Sequence, residues 1–98
     1  MPSNEIDRKI AVIFIADVVG YSKHMENDEN ETLKSYSACE KILQNLLEEY
    51  KGKIFNTGGD SVLAEFSSAV NAVECGVAFQ NKIKKKNEDV HLDVKLEF

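Results

Sequence analysis

The apolar run Ile10-Ala-Val-Ile-Phe-Ile-Ala16 stops at Asp17, and a second carboxylate, Asp60, sits in the turn Asn56-Thr-Gly-Gly-Asp-Ser61. The run is short and β-branched, with Gly20 soon after it, so from about Lys9 to Ala16 it reads as a central strand buried on both faces. In the turn, adjacent glycines tolerate positive φ and join two short runs, Lys53-Ile-Phe-Asn56 and Ser61-Val-Leu-Ala-Glu-Phe66, as a β-hairpin. A strand tip and a hairpin tip that each deliver a carboxylate can hold Mg²⁺ between them. This cation prefers oxygen ligands and completes its octahedron with the phosphates of a nucleotide.

One helical pattern lies between the first strand and the hairpin, and a second follows the hairpin. Asp28 followed by Glu31 forms a capping box with an acidic first turn. From there Leu33, Tyr36, Leu43, Leu46, Leu47 and Tyr50 recur at helical spacing until Gly52 supplies a C-cap. Ser67 or Ser68 caps a second helix, whose broad apolar face carries Ala69, Val70, Ala72, Val73, Gly76, Val77, Phe79 and Ile83, and which ends in a lysine run up to Lys86. A last alternating run puts Val90, Leu92, Val94, Leu96 and Phe98 on one face of a half-buried strand. The order is β-α-β-β-α-β. That pattern predicts an α+β, ferredoxin-like sandwich, a four-stranded antiparallel sheet with two helices on one face. The first and third strands are then neighbours in the middle of the sheet, and Asp17 and Asp60 come to the same edge.

A chain of 98 residues, 43% hydrophobic and 30% charged, is enough for one compact domain over residues 1–98, with a flexible N-terminus over about residues 1–7. Its net charge of −5 argues against a nucleic-acid binder, which needs a basic face. Cys39 and Cys75 lie at no metal-ligand spacing and fit helical positions as buried thiols. The start carries no signal region, and the longest apolar run is far too short for a bilayer, so the chain reads as cytoplasmic with no membrane segment.

Phe14-Ile-Ala-Asp-Val-Val-Gly-Tyr-Ser22 and Gly52-Lys-Ile-Phe-Asn-Thr-Gly-Gly-Asp-Ser-Val-Leu-Ala-Glu-Phe66 resemble the two metal-binding motifs of the class III adenylate/guanylate cyclase catalytic domain, bacterial members especially. The resemblance implies a two-metal conversion of ATP to cyclic AMP and pyrophosphate in signal transduction, with ATP favoured over GTP and the choice between them left open. It implies that Asp17 and Asp60 are the catalytic ligands of two Mg²⁺ or Mn²⁺ ions, with the backbone carbonyl of Val18 as a further oxygen. Amides of Val19, Gly20, Tyr21 and Ser22, at a turn opening toward a short helix, would cradle phosphate oxygens. Asn56 stands where many adenylate cyclases carry a base-reading lysine, which leaves base choice open. The partner implied is a second protomer, in a homodimer or with another cyclase chain.

The resemblance extends over nearly all of these residues but only about the first half of the family's domain. The family domain goes on to supply a base-selecting residue and an Asn and Arg that stabilise the transition state. Asp93-Val-Lys-Leu-Glu97 lacks the arginine-isoleucine-glycine run usual in the last strand. The expectation is therefore a truncated core that carries the metal half of an active site and is weakly active or inactive alone. Two alternatives stand beside it: a non-catalytic folding or dimerisation module, and a diguanylate-cyclase-like domain, disfavoured because Ser-Val-Leu rather than Glu-Phe follows Asp60. Taken singly, Asp17 and Asp60 read as turn carboxylates, Ser22 as a helix cap, His24 and His91 as locally bonded or exposed, Glu65 as a sheet-face charge, and Phe55 as packing.

Overall fold

The computed structural model describes residues 11–98. The expected flexible stretch over 1–7 and the start of the first strand at Lys9 lie outside the described residues. The elements are β1 (Val12–Asp17), α1 (Tyr21–Asn27), α2 (Glu29–Glu49), β2 (Lys53–Gly58), β3 (Ser61–Phe66) and α3 (Ala69–Lys86). They form an α+β fold whose antiparallel sheet has the order β1-β3-β2.

The register follows from side-chain alternation. Val12, Phe14 and Ala16 stand opposite Phe66, Ala64 and Val62, and this face packs under the helices. The Phe14 and Phe66 rings meet at 5.7 Å. Leu43, Leu46 and Leu47 of α2, with Ala72, Cys75, Phe79 and Ile83 of α3, complete that core. Both cysteines are buried and free, as expected. Ile13, Ile15 and Asp17 alternate to the other face and are exposed.

The helix boundaries obey local chemistry. Asp28 Oδ1 accepts from the Glu31 amide at 3.1 Å, and Ser68 Oγ accepts from the Asn71 amide at 3.2 Å. At the end of α2 the expectation of Gly52 as the C-cap is corrected: Tyr50 is the C-cap, and Lys51 after it holds the left-handed conformation, with φ 66°. The amide of Gly52 donates to Leu47 O at 2.7 Å and that of Lys51 to Glu48 O at 3.3 Å, which is the Schellman arrangement. Gly52 is required for a different reason, since a Cβ there would meet Phe66 Cζ at 2.5 Å.

Three further expectations are corrected. The fourth strand over 90–98 does not form, so the sheet has three strands among the described residues, and β1 is an edge rather than a central strand. Asp89 turns the chain after α3, its Oδ1 accepting from the His91 amide at 2.9 Å. The carbonyls that a ladder would use are then taken elsewhere. Leu96 O accepts from Asn87 Nδ2 at 2.8 Å, Phe98 O from Gln80 Nε2 at 2.9 Å and Val94 O from Ser35 Oγ at 3.4 Å. The alternation survives as burial: Leu96 is fully buried, Leu92, Val94 and Phe98 are half-buried, and Val90 is exposed. Second, the apolar face of α3 is wider than the surface it covers. Val70, Val73 and Val77 are exposed. Third, Phe55 is not a packing residue: it falls at a bulge in β2, between Ile54 and Asn56, and is exposed.

Candidate metal and nucleotide site

The site grows out of the β1–β3 ladder. Asp17 closes β1 and lies directly opposite Ser61, the first residue of β3, so Asp60 is its diagonal neighbour at the tip of the hairpin. Beyond the ladder the Val18 amide donates to Asp60 O at 3.2 Å, which ties the two strand ends together. Asp17 is exposed and Asp60 half-buried. Gly58 pairs with Ser61, leaving Gly59 and Asp60 as the two-residue loop. Neither glycine uses positive φ, contrary to the sequence expectation; among the described residues only Gly20 and Lys51 do.

After Asp17 the chain passes through Val18, buried against Tyr36 and Leu96, to Gly20 at φ 65° and ψ 35°. Gly20, rather than Ser22, is the N-cap of α1; Ser22 lies inside the helix. Tyr21 and Ser22 occupy the first turn, whose amides have no acceptor within a helix. Of the four amides expected to face phosphate, that of Val19 is engaged: it donates to Glu97 O at 2.8 Å. Asn56 pairs with Leu63, which pairs with Ile15, so Asn56 shares the open face of the sheet with Asp17, two paired positions along from it and on the far side of β3.

The donor set suits a hard cation. Two carboxylates and neighbouring carbonyls are oxygen ligands, and Mg²⁺ commonly takes only one or two protein carboxylates with phosphate and water. Among the described residues no group of three or more His, Cys, Asp and Glu side chains gathers at one point, so a ligand set here rests on the two aspartates and backbone oxygen. A groove of about 410 Å³ runs from Asp17 along β1 toward α3, lined by Phe14, Ile15, Val73, Val77 and Phe98. Sequence reasoning missed two polar residues that shape this region. Thr32, fully buried, donates through Oγ1 to His24 O at 2.9 Å, and buried Ser35 donates through Oγ to the Val94 carbonyl at 3.4 Å. Both sit at core-facing positions of α2, where hydroxyls give no periodic signal.

No family model matches the chain. A protein of Rhizobium meliloti (strain 1021) with the provisional name adenylate cyclase 3 is 43% identical over 94 residues, which is 95% of this chain. The chain belongs to the class III adenylate/guanylate cyclase family. It spans about 16% of the length of that cyclase relative. The chain is also 25% identical over 79 residues to the serine/threonine-protein kinase pkn2 of Myxococcus xanthus, over 80% of this chain and 10% of that one. Among solved structures, a bacterial light-regulated adenylyl cyclase superposes with a TM-score of 0.79 at 21% identity, over 83% of this chain and 25% of that one. An adenylate/guanylate cyclase/hydrolase from Silicibacter pomeroyi superposes with a TM-score of 0.74 at 26% identity, over 89% and 51% of the two chains. These likenesses agree with the α+β fold of the cyclase domain. No helix among the described residues is long and apolar enough to cross a membrane.

Proposed function

We propose that this chain is the metal-binding half of a class III cyclase centre that converts ATP to cyclic AMP and pyrophosphate. The observation that carries the reading is the Asp17–Ser61 register together with the Val18–Asp60 hydrogen bond, which brings two carboxylates to one corner of the sheet. Asp17 and Asp60, with the Val18 carbonyl, would hold the divalent ions. Such ions supply acidification of the ribose hydroxyl and charge neutralisation on the triphosphate.

The chain's own residues bind and orient. Gly20 turns the backbone so that the amides of Tyr21 and Ser22 begin a helix beside Asp17, a position suited to phosphate oxygens. Asn56, on the face shared with Asp17, is in place to touch a base. ATP is preferred as substrate because of the names of the relatives, and a second protomer would supply what these residues lack, the donors that stabilise charge on the transferring phosphoryl. The 98-residue domain is therefore proposed to be weakly active or inactive alone, and to work in the cytoplasm, where nucleoside triphosphate is at hand.

Calorimetric titration of Mn²⁺ with ATP into the chain tests the reading. Binding is expected in the wild type and absent in Asp17→Asn and Asp60→Asn; a wild-type chain that takes up neither metal nor nucleotide would favour a non-catalytic module.

A further inference from the structure

Tyr36 presents an unexplained group beside the aspartate corner. Its side chain is about nine-tenths buried, and its hydroxyl oxygen is sealed from solvent with no hydrogen-bond partner. The ring lies edge-on to Tyr21 at 6.2 Å and tilts against Phe98 at 6.4 Å. It packs with Val18, the residue that bonds Asp60, and with Leu96. A buried hydroxyl left unpaired is costly, and an apolar ring of the same shape would fill the space without that cost.

Resting on the cyclase reading, we propose that Tyr36 is a positioning residue for the Asp17–Asp60 site, its hydroxyl donating to the Asp60 carboxylate when the aspartates hold a divalent cation. The hydroxyl is kept as a donor at any physiological pH. Burial first, and then the negative fields of Glu40, Asp60, Tyr21 and Asp17, push the phenol up to about 12. The packing points to Asp60: Val18, which shares a cluster with the Tyr36 ring, donates its amide to Asp60 O at 3.2 Å. A carboxylate bound to a metal has a second oxygen free for such a donor, and partners of this kind fix the orientation in which the ligand meets the ion.

The experiment compares Mn²⁺ binding, with ATP present, and thermal unfolding without metal in the 98-residue wild type, Tyr36→Phe and Glu40→Gln. Tyr36→Phe is expected to weaken Mn²⁺ binding by roughly tenfold, with a metal-free midpoint equal to or above that of the wild type. Glu40→Gln is expected to bind as the wild type does. Equal Mn²⁺ affinity in wild type and Tyr36→Phe overturns the inference while leaving the cyclase reading intact. A lowered metal-free midpoint in Tyr36→Phe, or the same loss of affinity in Glu40→Gln, also overturns it, by showing a purely structural hydroxyl or a different partner. A wild type that binds no Mn²⁺ overturns the cyclase reading and the inference with it.

Discussion

The amide of Val19 donates to the carbonyl of Glu97 at 2.8 Å, across nearly the whole length of the described chain. This bond joins the loop after β1 to the tail that follows α3. It also separates Val19 from the three amides that come after it. Hydrogen exchange followed residue by residue is expected to show Val19 protected in the free protein, with Tyr21 and Ser22 exchanging faster. Adding Mn²⁺ and ATP should slow Tyr21 and Ser22. No slowing there, in a sample that demonstrably binds nucleotide, would remove these amides from the phosphate cradle.

Gly20 is the one glycine of the loop whose backbone dictates its identity. At φ 65°, with nothing within 4 Å of a built Cβ, an added methyl group meets no neighbour and only the left-handed conformation resists it. Gly20→Ala is therefore expected to cost about 1–2 kcal/mol, measured by urea unfolding. A larger loss would mean that the side chain collides with something.

Lys51 and Gly52 carry the turn after α2 in the reverse of the usual division. Lys51 bears the left-handed φ, so Lys51→Gly should stabilise the chain by about 1 kcal/mol. Gly52→Ala should destabilise it by roughly 1–3 kcal/mol, because its Cβ would press into the Phe66 ring and Leu47. Equilibrium unfolding of the two variants checks the opposite signs.

Stability at alkaline pH follows from Tyr36. Its folded value of about 12 lies above the ordinary 10, so between those values the folded chain holds a proton that the unfolded chain has released. Stability is full below about pH 10 and declines as pH rises toward 12, by an amount on the order of 1–2 kcal/mol. Burial pushes the Cys39 and Cys75 thiols up as well, which adds a decline of the same sign beginning near the thiol range. Tyr36→Phe should remove the tyrosine share, leaving a shallower slope in stability measured against pH.

The hairpin, both long helices and the pairing of the first strand with the third were legible because each has a local signature: a capping Asp28, a serine cap at 67 or 68, a β-branched run, and paired glycines before Asp60 in the turn. From those the corner containing Asp17 and Asp60 followed by topology alone. The segment 90–98 misled because a period of two records which side chains are buried, not what its carbonyls bond to. Leu96 is buried as the alternation required, yet its carbonyl goes to Asn87, a partner that no pattern in the sequence announces. The exposed valines of α3 show the same limit: periodicity finds an apolar stripe, and only the width of the neighbouring sheet decides how much of it is covered. Tyr36 was read as core, and it is; its orphaned hydroxyl becomes visible only with the atoms around it.

The Thr32 hydroxyl, fastened to the His24 carbonyl, is a clasp between the short helix and the long one, closed by a side chain of the long helix on a backbone carbonyl of the short one. The short helix is capped at Gly20, three residues after Asp17, so the clasp sits one helix away from the aspartate corner. Thr32→Val keeps the shape and removes the donor, and it is expected to loosen the short helix against the 21 residues of α2.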